Sequence, residues 1–558
     1  MTAAPESRRR GWCPGALRPM QSGDGLLVRI KPSCGMVSLE QAEAIATLAR
    51  DHGNGLIDLT SRGNLQLRGV SGETLDVLTS ALDALGLLDA TPEAEAVRNV
   101  ISSPLAGIDV TAFDTRSVVK ALEQRVTSDS SLGALSDKFG FLVDGGGMQP
   151  LADVEADIRF VWTGDHFAVG LARESGCDWI GTCSPGDVPD VAIALARSFL
   201  IHAGSVRRVR HLSDGERDQI SKTAAVETRG QTHGSDPMRN VAVSNNRNTA
   251  FNDAHGLLTP IPSSRRRPGS TQVATGVTPQ DLARHTSSGT VEQADAGVDP
   301  GLRRDDVGTG SGCGDWSESG TAAAVEARGQ THGSDPMRNV AVRFSPNIAL
   351  NGPRGVGVVE AGGGSSVAGI GLPYGGTTST ALLSLMALAR QAGATELRLT
   401  PWRAILIATA DRDAAAFLLT QAAGLGFITD PADTRRAIAA CPGAPACASG
   451  TTPVRADADL LAKAAANLLG DGVDIHVSGC AKGCAHRQAA TLTIVADGGV
   501  YGLVVNGTAA NAACGRYTAP EIAEILARVP SAVTKAGDVS HTKRGAAIAA
   551  ALKEILAA

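Results

Sequence analysis

Four cysteines near the end of the sequence form two pairs whose spacing is typical of a metal centre. Cys441 and Cys447 enclose five residues in the run CPGAPAC, and Cys480 and Cys484 enclose three in the run GCAKGC. Glycine, proline and alanine flank both pairs, and glycine in particular lets the backbone approach a compact inorganic group closely. Four thiolates that converge on one point are the ligand set of a 4Fe–4S cluster or of a structural zinc ion.

Three competing roles for these cysteines fit the pattern less well. Structural zinc sites prefer roughly two to four residues within each cysteine pair, and the first pair is wider than that. Disulfide frameworks belong to small secreted domains, whereas this chain has 558 residues and no apolar segment after its early arginines. Inert buried cysteines would not usually fall in two glycine-flanked pairs. We therefore expect a 4Fe–4S cluster, with backbone N–H groups of the loop at 479–484 donating to its sulfurs.

The cysteine pattern resembles that of the sulfite and nitrite reductase superfamily, in which the cluster lies against a sirohaem and the last cysteine bridges the two. In those enzymes the second loop usually reads C-x-N-G-C. Lys482 takes the place of that asparagine here, and the loop continues as Ala485-His486-Arg487. This variant looks like the precorrin-3B synthase family, the oxygen-using branch found in aerobic cobalamin synthesis.

The resemblance implies an iron–sulfur monooxygenase. It would hydroxylate precorrin-3A at C20 and close a γ-lactone with O2, using the cluster, a non-haem mononuclear iron and electrons that come formally from NADH. The sequence has no credible dinucleotide fingerprint, so a separate reductase or ferredoxin is the expected electron donor. Mononuclear iron takes histidine and carboxylate ligands, and His476, His486 and His52 are candidates by their proximity to the motifs.

Basic residues on loops are the candidates for substrate binding. Arginine binds carboxylates with two parallel hydrogen bonds, and a tetrapyrrole precursor carries many acetate and propionate arms. The superfamily builds its pocket from these loops, although each residue alone could equally be a solvated surface charge. The candidates are Arg62, Arg68, Arg98, Arg403, Lys482 and Arg487. A sirohaem would need similar clamps, so a sirohaem-dependent sulfite or nitrite reductase stays open as an alternative.

Composition bounds the remaining possibilities. A chain of 558 residues with 43% hydrophobic residues is long enough for several domains with real cores. The net charge of −6 and the isoelectric point near 6.0 argue against bulk binding to nucleic acid or to an anionic membrane. No apolar run reaches the roughly 18 residues of a membrane span. We therefore expect a cytoplasmic protein that binds neither nucleic acid nor membrane.

The first half of the sequence predicts a strand–helix–strand unit. Residues 25–30 read as a strand, Ser38 is a plausible helix N-cap, and apolar residues then recur at helical spacing. Residues 56–60 and 65–68 read as two further strands around a tight turn. A weaker copy of the unit recurs at 369–409.

The two copies indicate two half-molecules that face each other. Leu59-Thr60-Ser61-Arg62 lines up with Leu399-Thr400-Pro401-Trp402-Arg403 with a one-residue slip, which makes Arg62 and Arg403 equivalent. A non-catalytic iron–sulfur electron carrier would not need such a duplication. The resemblance implies an α+β fold with a pseudo-two-fold axis, in which two ferredoxin-like half-domains are each followed by an α/β domain.

These patterns divide the chain into six parts. We expect a flexible N-terminus at 1–20, a first half-domain at 21–80, a first α/β domain at 93–223, a duplicated segment with a low-complexity insert at 224–342, a second half-domain at 345–430, and a 4Fe–4S cluster domain at 436–558.

The duplicated segment is unusual because its two copies are almost identical. Residues 224–243 and 323–342 differ only at Thr228 and Ala327, which indicates a recent duplication or inserted DNA. The sequence between them lacks hydrophobic periodicity, so we expect disorder there. Its GTGSGCG run, with Cys313, mimics a phosphate-binding loop but follows no predicted strand and opens no predicted helix. The sequence does not decide which copy has the structural role.

Deletion of residues 244–342 should leave a folded protein with its iron and acid-labile sulfide unchanged. A loop insertion whose ends are already close costs little, and a segment without a hydrophobic pattern buries no core. Metal and sulfide analysis of the soluble deletion variant measures this. Cys441→Ser in the same background is the control that should lose iron, and failure of the deletion variant to yield soluble, iron-loaded protein would show that the segment is structural.

Overall fold

The structure is a computed structural model that describes residues 13–231, 354–361, 366–469, 473–529 and 541–557. The expected flexible start lies largely outside the described residues. So does almost all of the expected duplicated segment and insert, including Cys313 and the second repeat copy.

The first half-domain and the first α/β domain follow each other along the chain. The half-domain contains β1 (Met20–Ser22), β2 (Gly25–Ile30), β3 (Met36–Ser38), α1 (Leu39–His52), β4 (Leu56–Leu59), β5 (Leu65–Val70) and α2 (Leu75–Ala84). The α/β domain contains α3 (Pro92–Val97), β6 (Val100–Ser102), α4 (Arg116–Ser128), β7 (Phe141–Asp144), β8 (Ile158–Trp162), β9 (Phe167–Ala172), β10 (Cys177–Cys183), α5 (Val188–His202) and α6 (Asp214–Gln231).

The second half of the chain repeats this order. Its half-domain contains β11 (Gly357–Glu360), β12 (Ser366–Gly371), β13 (Gly376–Thr378), α7 (Ser379–Gln391), β14 (Glu396–Leu399), β15 (Ala404–Thr409) and α8 (Arg412–Gly424). Its α/β domain contains β16 (Ile438–Ala440), α9 (Val454–Ala464), β17 (Ile475–Ser478), β18 (Ala490–Asp497), β19 (Val500–Gly507), β20 (Arg516–Tyr517), α10 (Ala519–Ala527) and α11 (His541–Ala557).

The two half-domains exchange one strand each. The first sheet runs β1-β2-β5-β4-β13, and the second runs β11-β12-β15-β14-β3, so β13 and β3 have crossed to the other half. In these antiparallel pairs Thr377 lies opposite Ile57, and Val37 lies opposite Leu397. Helices α1 and α7 pack together over a hydrophobic core that draws on both half-domains. The predicted duplication is confirmed, and neither half-domain completes its sheet alone.

Local sequence explains how the first exchanged strand passes into α1. The Ser38 hydroxyl accepts a hydrogen bond from the Gln41 N–H at 3.1 Å, and the Gln41 side chain accepts one from the Ser38 N–H at 3.0 Å. This capping box satisfies two N–H groups that a helix start leaves unpaired. Leu39, Ala42 and Ile45 then face the core, and burying one such large aliphatic side chain stabilises the fold by about 1.5–3 kcal/mol. The predicted N-cap is confirmed.

The predicted equivalence of Arg62 and Arg403 is wrong by one residue. Gly63 and Arg403 both donate their N–H to the carbonyl three residues earlier, and both have a positive φ, of 69° and 58°. The same five-residue turn therefore closes in both halves with Gly63 matching Arg403. Arg62 then matches Trp402, an offset of 340 residues that also relates β3 to β13. The alignment of the two sequences was wrong by one residue because Gly63 and Arg403 have different side chains and share only this backbone conformation.

The two α/β domains have the same sheet. In each, three parallel strands are followed by two antiparallel ones, in the orders β6-β7-β8-β9-β10 and β16-β17-β18-β19-β20. Each sheet buries its own hydrophobic core under helices of its own domain. The predicted α+β fold with a pseudo-two-fold duplication is confirmed. None of the helices in the described part of the chain has the length and apolar character needed to cross a bilayer.

Candidate metal centre

The two cysteine loops leave neighbouring parallel strands at the same edge of the sheet. Cys441 follows β16 directly, and Cys480 follows β17 after a single glycine. The Cys441 N–H donates to the carbonyl of Val477 at 3.3 Å, and the Gly479 N–H donates to the Cys441 Sγ at 3.1 Å. Strand β17 therefore carries the second loop to the first, and one backbone donor already points at a cysteine sulfur.

Glycines bring the loop backbones closer together than other residues would permit. A Cβ on Gly479 would lie 3.3 Å from the Cys441 Sγ, and one on Gly450 would lie 2.8 Å from the backbone of Gly443. Gly443 has a φ of 67°, which side-chain-bearing residues rarely adopt. Alanine at these positions would push the two loops apart, so the glycines define a cradle around the cysteines.

The four thiols lie close enough to influence one another. Burial raises the pKa of the Cys441 thiol, the Gly479 and Gly443 N–H groups oppose that shift, and Cys447 and Cys484 raise the pKa further. Burial also raises the pKa of Cys484, with Cys480 and Cys447 adding to the shift. Thiolates that repel one another in a partly buried loop pair need a cation to hold them together, and a metal ion or cluster supplies that charge.

The donor set fits an iron–sulfur cluster, although the coordination is not preformed. In the part of the chain that the structure describes, no group of three or more His, Cys, Asp or Glu side chains is already arranged to hold a metal ion. Every described cysteine is a free thiol. The fit therefore rests on four mutually interacting thiols, the N–H donor at Gly479 and the glycine cradle.

The first half of the molecule contains a counterpart of the cysteine loops without cysteines. Ser103 follows β6 as Cys441 follows β16, and its N–H donates to the Val143 carbonyl at 3.2 Å. The Gly145 N–H donates to the Ser103 hydroxyl at 2.7 Å, which matches the bond from Gly479 to Cys441. The pseudo-two-fold axis thus repeats the loop geometry, but only the second half carries cysteines in these loops.

Arg68 lies inside the protein and braces the first cysteine loop. Its side chain is 3% exposed and pairs with Asp24 at 3.0 Å and with Asp58 at 3.1 Å. Its remaining nitrogen donates to the Ala446 carbonyl at 2.5 Å, next to Cys447. Asp58 also pairs with Arg455 at 2.6 Å, at the start of α9. This network ties the first half-domain to the loop that carries Cys441 and Cys447.

Three more of the predicted basic residues also bind protein groups. Arg98 pairs with Asp89 at 2.5 Å and with Glu123 at 3.3 Å. Lys482 donates to the Ser449 hydroxyl at 2.8 Å and so joins the two cysteine loops. Arg403 donates to the carbonyl of Ala485, directly after Cys484, at 3.2 Å, and burial lowers its pKa.

Arg62 and Arg487 belong instead to a cluster of cations that we call the basic cluster. Burial lowers the pKa of Arg62, and nearby Arg208 lowers it further. Burial also lowers the pKa of Lys138, with Arg487 as the next cause. The cluster draws on both halves of the chain and consists of Arg29, Arg62, Lys138, Arg208 and Arg487.

Positive charge in the basic cluster is only partly neutralised. Arg208 pairs with Asp157 at 2.9 Å. Arg62 donates to the Lys138 carbonyl at 2.6 Å, and Arg29 donates to the Gln66 amide at 2.6 Å. Within the described residues, no carboxylate lies at ion-pair distance from the other four cations, which are Arg62, Arg29, Lys138 and Arg487. Such a cluster attracts an anionic ligand, because partly buried cations gain most from a charged partner.

A cleft opens beside Arg62, between the first half-domain and the first α/β domain. Lys31, Arg62, Asn64, Arg98 and Asn99 are among the residues that line it. Burial lowers the pKa of Lys31 to about 8, and its ammonium donates to the Asn99 side chain at 3.0 Å. The cleft is small, and Glu123 also lines it and pairs with Arg98, so its donors are already engaged by the protein.

Sequence reasoning missed Arg29, Lys138 and Arg208. Arg29 is the charged residue in the otherwise apolar strand GLLVRI, and this was the one available signal. Of the candidate iron ligands, His476 lies on β17 and His486 on the second cysteine loop, with ring centroids 5.8 Å apart. His52 ends α1 in the first half-domain.

Comparison with known proteins agrees with this fold and site. Residues 18–85 match the nitrite/sulfite reductase ferredoxin-like half domain. The solved structure of the NirA protein of Mycobacterium tuberculosis superposes with a TM-score of 0.58 at 16% identity, covering 93% of this chain and 83% of that one. The chain therefore has the fold of the nitrite and sulfite reductases.

Proteins of similar sequence indicate a narrower group of enzymes than the fold does. A precorrin-3B synthase of Sinorhizobium is 28% identical over 518 residues, which cover 92% of this chain and 86% of the relative. A ferredoxin–nitrite reductase of Synechococcus elongatus is 30% identical over 186 residues, or 30% of this chain and 36% of the relative. The chain is similar to a precorrin-3B synthase along nearly its whole length, in agreement with the resemblance carried by the second cysteine loop.

Replacing Arg68 with methionine should weaken both the fold and the cluster. The change leaves two carboxylates without their buried partner, which costs about 3–5 kcal/mol of unfolding free energy, and it releases the Ala446 carbonyl beside Cys447. Urea unfolding and iron content measure the two effects. Arg50→Met is the matched control, because its pair with Asp51 is exposed, and both readouts should stay unchanged. Full iron content in Arg68→Met would contradict the bracing role.

Proposed function

We propose that the protein is a precorrin-3B synthase that hydroxylates precorrin-3A at C20 and closes a γ-lactone. The observation that carries the proposal is the similarity to a precorrin-3B synthase along 92% of the chain. One oxygen atom of O2 enters the product and the other leaves as water. The two electrons and two protons that this requires come formally from NADH and one solvent proton, with the electrons delivered by a separate reductase or ferredoxin in the cytoplasm.

Cys441, Cys447, Cys480 and Cys484 would hold a 4Fe–4S cluster, which supplies single-electron transfer when bound. The Gly479 N–H, which already donates to the Cys441 sulfur, would remain a donor to that sulfur and raise the reduction potential. The exposed side of the site is at Cys484 and Lys482. The reaction also calls for a mononuclear non-haem iron, and no role in this proposal requires sirohaem.

The basic cluster would bind the carboxylate arms of precorrin-3A. Arg62, Arg487, Lys138 and Arg29 have no carboxylate of the described protein at ion-pair distance, so their charges are available to the substrate. They come from both halves of the chain, so a wide ligand with several carboxylate arms could bind several of them at once. A substrate bound there would also displace water from the guanidinium of Arg62, which strengthens each ionic contact.

Arg68, Arg98, Arg403 and Lys482 take a different role in this proposal. Each was a candidate for substrate binding, but each has a protein partner that fixes a loop around the site. We assign them to positioning: Arg68 holds the first cysteine loop, Arg403 and Lys482 hold the second, and Arg98 holds the wall of the cleft.

A sirohaem-dependent nitrite or sulfite reductase is the second candidate. Its support is the partial match to the cyanobacterial ferredoxin–nitrite reductase at 30% identity and the shared fold with NirA. The basic cluster would serve a bound sirohaem as well as a precorrin. Lys482 argues for the first candidate, since the reductases usually have asparagine there.

Labelled dioxygen tests the proposed reaction. Reduced protein given precorrin-3A and ¹⁸O2 should place one labelled atom in the product, measured by mass spectrometry.

Replacing Arg62 with alanine should weaken precorrin binding by about tenfold to 150-fold, since one buried charged contact contributes about 1.5–3 kcal/mol. The absorption spectrum of the cluster should not change. Arg125→Ala, which removes an exposed ion pair with Asp190, is the control and should bind normally.

Two outcomes would replace this proposal with the reductase. One is product oxygen that comes from water instead of O2. The other is steady turnover of sulfite or nitrite by protein that carries a tightly bound sirohaem.

A further inference from the structure

A buried histidine next to the second cysteine loop has no partner for either ring nitrogen. His476 is fully buried on β17. Neither its Nδ1 nor its Nε2 has a hydrogen-bond partner within the described structure. An unsatisfied buried polar group costs about 1–3 kcal/mol, so packing alone does not account for an imidazole with two unused nitrogens.

Two further groups of the kind that bind metals lie beside His476. The ring of His486 is 5.8 Å away between centroids and inclined by 63°. The Asp474 Oδ2 lies 3.8 Å from the His486 Nε2. Asp474 lies just before β17, two residues ahead of His476, and is close enough to act electrostatically on the His476 ring. Three chemically suitable side chains therefore border one small volume.

Asp474 is oriented by its own neighbours. Its Oδ1 accepts hydrogen bonds from the N–H and the hydroxyl of Thr491, each at 3.0 Å. This fixes the carboxylate and leaves Oδ2 directed toward His486. A metal-binding carboxylate whose second oxygen is hydrogen-bonded in this way is a common arrangement, because the outer partner holds the ligand in place.

We propose that Asp474, His476 and His486 form a mononuclear Fe(II) site beside the second cysteine loop. Two histidines and one carboxylate are the ligand set of non-haem Fe(II) oxygenases. Two imidazoles bound to neighbouring positions of one metal at about 2.1 Å place their ring centroids roughly 4.5–5.5 Å apart, so the observed 5.8 Å requires only a small movement of the His486 side chain on binding. The choice of iron over another divalent metal rests on the proposed function, whereas the ligand set rests on the geometry.

The site is rigid on one side and adjustable on the other. His476 is held in the sheet, while the side chains of His486 and Asp474 are 29% and 45% exposed. The described residues hold no preassembled metal site. The partly exposed side chains of His486 and Asp474 would therefore move toward His476 when the metal binds. Their exposure also leaves coordination positions open to the surface beside the basic cluster, where Arg487 follows His486 directly.

The site adjoins the cluster loop directly. A Cβ on Gly483, between Lys482 and Cys484, would lie 3.6 Å from the His476 Cε1 and 3.3 Å from the His486 carbonyl. The glycine backbone therefore packs on the imidazole. The proposed iron ligands therefore contact the loop that carries Cys480 and Cys484, and His486 belongs to it.

Mössbauer spectroscopy of ⁵⁷Fe-enriched, anaerobically purified full-length protein tests the assignment. The wild type should show a high-spin ferrous doublet in addition to the cluster signal, with iron in excess of acid-labile sulfide. His486→Ala and Asp474→Asn should each lose the ferrous doublet and keep the cluster signal and sulfide content. His211→Ala is the matched control, because His211 is an exposed histidine beside Glu174, and both signals should stay.

His476→Leu provides a second, independent variant in which an apolar side chain fills the buried position. It should also lose the ferrous doublet. A ferrous doublet that persists in His476→Leu and His486→Ala, or a wild type with the cluster signal alone, would overturn the site. The failure of the proposed function looks different: the doublet would respond to these variants as expected, while product oxygen would come from water.

Discussion

The exchange of β3 and β13 is the constraint on which the rest of the structure depends. Each half-domain sheet ends with a strand from the other half, so neither sheet is complete until both halves have folded. This fixes the two halves in one relative position over a shared core. Long-range pairing of this kind costs chain entropy before it gains contacts, and the common core formed by α1 and α7 supplies the compensating burial.

The exchange also explains how the cysteine loops are held. The first half-domain braces the cysteine loop of the second half through Arg68 and the Ala446 carbonyl. In the same way, the second half-domain braces the loop after β6 through Arg398, which donates to the Ala106 carbonyl at 3.0 Å. Each half thus supports the other half's loop, and only one of the two loops has acquired cysteines. A symmetric scaffold carries an asymmetric site.

Sequence reasoning was most successful where the signal is local. The strands at 25–30 and 56–59, the N-cap at Ser38 and the convergence of the two cysteine loops all follow from short patterns, and the structure confirms them. The strand exchange could not be predicted, because β3 and β13 have three residues each and no periodicity. The partners of Arg68 and Arg98 were equally hidden, since a charged residue in sequence does not reveal the carboxylate that will neutralise it. Arg29 and Lys138 were missed for the converse reason, because the sequence does not reveal that a charged residue will lie without a neutralising carboxylate.

The central claim is that this chain uses the nitrite and sulfite reductase fold to hold a cluster and a precorrin substrate, without a resident haem. The absorption spectrum of anaerobically purified protein tests it most directly. We expect the broad, featureless shoulder of an iron–sulfur cluster, which bleaches on reduction and disappears in Cys480→Ser. The intense, structured bands of a tightly bound sirohaem in the purified protein would contradict the account.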